Sequence, residues 1–149
     1  MKAITCTVRR GGRRGQPSRA IHTCTNVVPT EPAPVTLFEV ARRAVEISDP
    51  AGRDPRLGRL LEQFEDADEP VAAIDNLEEK LAIAVEGVDV DDEDPAVAVA
   101  TATILYLAYR RDELHAEPHH ILRLAARAEW EGDPPTRVVA WLAERGVRV

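Results

Sequence analysis

Residues Pro95 to Tyr109, PAVAVATATILYLAY, are the longest run without Asp, Glu, Lys or Arg in a chain that is 30% charged. Charged blocks bound the run, Asp91 to Asp94 before it and Arg110 to Glu113 after it. Whatever fold the chain adopts, its other segments must cover this one. The first half of the run alternates. Val97, Val99, Thr101 and Thr103 share one parity and Ala98, Ala100 and Ala102 the other, which is a strand signal. Three features outweigh it. Asp94-Pro95 pairs an N-cap acceptor with a proline at the first helical position, where the missing N–H costs nothing. Acids precede the run and Arg110 and Arg111 follow it, as the helix dipole favours. An uncharged run of this length also exceeds the roughly 5–6 residues of an ordinary strand. The run therefore predicts a central buried helix over about residues 95–110, with Val97, Ala100, Thr101, Ile104, Leu107 and Ala108 as its core stripe. It is too short to span a membrane, which takes about 20 apolar residues.

The other apolar segments are shorter and one-sided. Thr36-Leu37-Phe38-Glu39 reads as a capping box, with Val35 and Val40 at the staple positions. Leu37, Val40, Ala41, Ala44 and Ile47 then recur at helical spacing. Asp54-Pro55 opens a second helix with Leu57, Leu60, Leu61 and Phe64 on one face. A third is expected to start near Pro70 and carry Val71, Ile74, Leu81 and Val85 to a stop at Gly87. Pro118 opens a fifth, with Ile121, Leu122, Leu124, Ala125 and Ala128 on its apolar side. A sixth contains Val138, Val139, Trp141 and Leu142 and ends at Gly146. Acid-before-proline punctuates the chain at Asp49, Asp54, Glu69, Asp94, Glu117 and Asp133. Short connections favour antiparallel neighbours. The expected fold is all-α: a compact bundle of five to six short helices around the central one, over residues 35–149. With two each of Trp, Tyr and Phe, its core has to be aliphatic.

Residues 1–34 differ in kind. The net charge of −7 divides into about +5 over residues 1–36 and −12 over residues 37–149. The basic segment holds RRGGRRG, with Arg9, Arg10, Arg13 and Arg14, and ends in PTEPAP. It has too little apolar surface to offset its ordering entropy, so disorder is expected. Three readings compete: an arm that meets nucleic-acid phosphates through those arginines, a transit peptide, and an extension without function arising from a misassigned translation start. The last is favoured, since Met1 is the only methionine. Both cysteines, Cys6 and Cys24, fall here. The body therefore has neither a disulfide nor a thiolate site, in keeping with a reducing compartment.

Chemistry is sparse. Asp89, Asp91, Asp92, Glu93 and Asp94 invite a calcium reading. A loop counted from Asp89 would need glycine where Asp94 stands and glutamate where Ala100 stands, so the pattern fails. His115, His119 and His120, with Glu113 and Glu117, are the one ligand-rich cluster. Pro118 interrupts the i,i+4 register of His115 and His119, and no H-E-x-x-H motif is present. No phosphate loop, dinucleotide fingerprint or nucleophile elbow occurs, and no cofactor is expected. The last two helices faintly resemble a helix-turn-helix, but the second lacks the basic face that DNA requires. Trp130 and Trp141 flank the turn between them. They either seal the last helix onto the bundle or form an aromatic pair at a partner surface.

The leading functional expectation is a small, soluble, cytoplasmic, non-catalytic helical protein that acts through protein–protein contacts, as a regulatory or accessory protein, with a homodimer as one form. The alternatives are a metal-binding protein or enzyme built on His115, His119 and His120, and nucleic-acid contact through the arginine-rich segment.

Overall fold

Asp94 Oδ1 accepts hydrogen bonds from the amides of Ala96 and Val97, at 3.0 and 3.1 Å. Pro95 has no amide to satisfy. The central helix, α4, accordingly runs Pro95–Tyr109, as the acid–proline signal predicts. The structure is a computed structural model and describes residues 32–91 and 93–149. The expectations for residues 1–31 and the acid at 92 lie outside the described residues.

Five further α-helices pack on α4: α1 (Leu37–Ser48), α2 (Pro55–Glu62), α3 (Leu77–Glu86), α5 (Pro118–Glu129) and α6 (Thr136–Glu144). Of these, α1 also touches α2 and α5. Among the described residues there is no strand, and Thr36–Pro70 is an isolated antiparallel bridge. The fold is all-α, a bundle gathered on the central helix. No described helix is long and apolar enough to cross a membrane.

Enclosure by five neighbours changes the expected burial of α4. Val97, Ala100, Ile104, Leu107 and Ala108 are buried as the stripe predicts, but Ala96, Val99, Ala102 and Thr103 are buried too. Thr101, expected in the stripe, is half-buried instead. With Ala98 and Leu105 it marks the least covered side of the helix, which ends at exposed Tyr109. The hydroxyls of Thr101 and Thr103 donate to the carbonyls of Val97 and Val99, at 2.8 and 2.7 Å. These bonds make threonine tolerable inside an apolar bundle, because a buried hydroxyl needs a partner.

Thr36 forms the predicted capping box with Glu39. The remaining first-turn amides of α1 find less obvious partners. Leu37 N–H donates to the Glu69 carbonyl and Phe38 N–H to the Ala67 carbonyl, while Val71 N–H donates to Val35. Residues 67–71 thus serve as a backbone cap for α1, and this corrects the expected third helix. Val71–Ala73 is only a single 3-10 turn, Ile74 is extended, and α3 starts at Leu77. The turn begun at Val71 does not propagate because the backbone leaves the helical region at Ile74, with φ −92 and ψ 114.

Asp54 and Glu117 cap α2 and α5 as Asp94 caps α4. The signal does not generalise: α6 begins after Pro135 with no side-chain cap. Long-range polar contacts fix the packing. Arg43 on α1 donates to the carbonyls of Leu114 and Ala116, at 3.1 and 3.4 Å. Arg56 on α2 pairs with both Asp54 and Asp94, tying together the starts of α2 and α4.

Candidate functional site

Two surfaces stand apart from the rest of the bundle. The first is a basin at the start of α5. Glu117 Oε1 and Oε2 accept from the amides of His119 and His120, at 3.1 and 2.8 Å. These two bonds hold the Glu117 carboxyl below its ordinary range, so it stays charged. The capping places the histidines in the first turn of α5, with Arg123 one turn on. At the other end of the chain Gly146 adopts φ +76, a conformation that favours glycine. The chain reverses there, Val147 N–H donates to the Leu142 carbonyl at 3.0 Å, and the Val147 side chain is buried. Arg148 is thereby carried to the start of α5. Glu117, His119, His120, Arg123, Val147 and Arg148 line an open basin of about 610 Å³.

Arg123 Nη2 lies 3.3 Å from His120 Nδ1. Arginine only donates, so Nδ1 is the acceptor and a neutral His120 carries its proton on Nε2. His115 does not line this basin and sits exposed on the connector before Pro118. Because α5 starts only at Pro118, the i,i+4 relation that would align His115 with His119 is not formed. Among the described residues no group of three His, Cys, Asp or Glu side chains is placed to hold a metal ion.

The second surface is the outer face of α6. Val138, Trp141 and Leu142 point into the core. Thr136, Val139, Ala140 and Ala143, at i, i+3, i+4 and i+7, are exposed and uncharged. Arg137 and Glu144, two turns apart, border this face along one edge. The exposed sides of α1, α2, α3 and α5 carry charge: Glu39, Arg42 and Glu46 on α1, Arg59 and Glu62 on α2, Glu78, Glu79 and Glu86 on α3, Arg123, Arg127 and Glu129 on α5. The face was legible in the sequence TRVVAWLAE, whose charges sit only at its edges, but the apolar residues there read as core alone.

The tryptophans are not a pair of exposed rings. Trp141 is 7% exposed, with the Arg145 guanidinium 3.5 Å from its ring centroid. Arg145 also donates to the Ser48 carbonyl at 3.2 Å, which ties α6 to the end of α1. Trp130 is half-buried against the core at the end of α5. Arg9, Arg10, Arg13 and Arg14 lie outside the described residues.

Titration shifts hold groups in their ordinary charge states. The Arg56 hydrogen bond lowers Asp54. Burial, with the 2.5 Å hydrogen bond that Tyr106 donates to Glu113, pushes the Tyr106 phenol up to about 12. Such shifts belong to structural pairs.

No protein-family model matches the chain, and no curated protein or solved structure matches it either.

Proposed function

We propose that this protein is a non-catalytic helical module that acts through protein–protein contact, and that its contact surface is the outer face of α6. The carrying observation is the absence of charge from that face, whereas the exposed faces of α1, α2, α3 and α5 all carry charge. Depletion of charge marks the centres of protein interfaces. Small side chains at Ala140 and Ala143 let a second helix approach closely.

The partner that fits best is a second copy. In a two-fold pairing with antiparallel α6 helices, Arg137 of each copy meets Glu144 of the other, because both lie on one edge, two turns apart. A parallel pairing would separate them. Arg137 now pairs with Glu93 at 3.4 Å. That contact is exposed and of little energetic weight, so it yields readily. The cysteine-free body supports a cytoplasmic setting for such a module.

Sedimentation velocity over a concentration series tests this proposal. Self-association is expected, and Ala140→Arg should abolish it while leaving the melting temperature unchanged. Arg137→Glu alone should weaken association, and Arg137→Glu combined with Glu144→Arg should restore it. A wild-type chain that stays monomeric up to about 1 mM, where even a millimolar dimer would show, overturns the self-association reading.

A further inference from the structure

The basin at the start of α5 draws its polar lining from two separate elements. His119, His120 and Arg123 come from α5, and Arg148 from the segment after α6. The helix amides contribute nothing to it directly, because Glu117 already occupies those of His119 and His120. What remains is a set of side-chain donors: the Arg123 fork, which spends one N–H on His120, the Arg148 fork and the two imidazoles. We propose that this basin binds a small phosphate monoester.

Two arguments select that class. Donors from two arginines and two histidines outnumber what the two oxygens of a carboxylate can use. A phosphate monoester presents three terminal oxygens and up to two negative charges, and arginine forks match that geometry. The volume of about 610 Å³ also exceeds what a bare phosphate needs and lies in the range of small-molecule sites. Glu117 is the opposing charge. Its carboxylate faces the α5 amides, which compensate it in part.

The test is a titration of the full-length, isotope-labelled chain with inorganic phosphate and with glycerol 3-phosphate at constant ionic strength, read by amide shifts. Saturable shifts are expected at His119, His120, Arg123 and Arg148, with the ester binding at least as tightly as phosphate. Arg123→Gln and Arg148→Gln should each weaken binding about tenfold, as loss of a charge-assisted hydrogen bond implies. Glu117→Gln keeps an acceptor for the helix amides and removes the opposing charge, so it should tighten binding. Melting curves for each variant confirm that the body is folded. Three results would overturn the proposal: no saturable shift up to about 10 mM, which would fill a millimolar site; saturation by phosphate but not by the ester; or affinity unchanged in the arginine variants.

Discussion

Truncating Ile104 to alanine is expected to lower the stability of the bundle by about 2–5 kcal/mol. Ile104 is fully buried in the middle of α4. The loss has two parts, the transfer free energy of the removed carbons and the cavity left behind. The cavity should persist, because five helices pack on α4 and none can close the gap without losing its own contacts. A domain of this size is stable by about 5–15 kcal/mol, so the variant should unfold at visibly lower denaturant concentration. A cost under about 1 kcal/mol would place Ile104 at a site that can collapse freely, which is at odds with the enclosure described.

Replacing Asp94 with alanine should cost about 2–3 kcal/mol. Asp94 does two jobs: it caps α4 through the amides of Ala96 and Val97, and it pairs with Arg56. Loss of a cap costs about 0.5–2 kcal/mol. The lost ion pair adds less than the roughly 3–5 kcal/mol of a fully buried one, because the Arg56 side chain is 42% exposed and can rehydrate. Asp94→Asn keeps an acceptor for the cap and should lose less. The same network carries an acid dependence. The Asp54 carboxyl, lowered first by its hydrogen bond from Arg56, sits below its ordinary value of 3.8 in the folded state. A depressed folded value gives a contribution that is present above the unfolded pKa and lost as pH falls through the folded one. Acid should therefore destabilise wild type below about pH 4, and Arg56→Gln should flatten that decline in pH-dependent denaturant melts.

Local signals carried much of this architecture. Thr36 with Glu39, Asp54-Pro55, Asp94-Pro95 and Glu117-Pro118 each marked a helix start, because an N-cap needs only residues within one turn. The long uncharged run marked the centre of the bundle for a related reason, since a helix without charge on any face needs cover on most sides. What went unread was non-local. Residues 70–76 have helical periodicity, yet Val71 bonds to Val35 across the fold, and no local pattern announces that pairing. Spacing alone places Thr101 in the stripe, whereas its half-exposure depends on where the neighbouring helices stop covering α4. The basin is tertiary in the same sense. His119 and His120 were visible as a cluster, but Arg148 joins them only because Gly146 turns the chain back. The outer face of α6 was legible as a charge gap, and it took the burial of Trp141 to show which side of that helix faces out.

The central claim is that α4 is a helix enclosed by the five others, with its least covered side at Ala98, Thr101 and Leu105. Lysine scanning from Ala96 to Leu107, read by denaturant melts, tests it most directly. Lysine at Val97, Val99, Ala100, Ala102, Thr103, Ile104 or Leu107 would bury an unpaired ammonium and should prevent folding or cost several kcal/mol. At Ala98, Thr101 and Leu105 the long side chain can extend to solvent, and the cost should be markedly smaller. The predicted profile therefore has its tolerant positions three and four residues apart, mixing odd and even numbers. Strict odd–even alternation, or tolerance throughout, would contradict the buried helix and the bundle built on it.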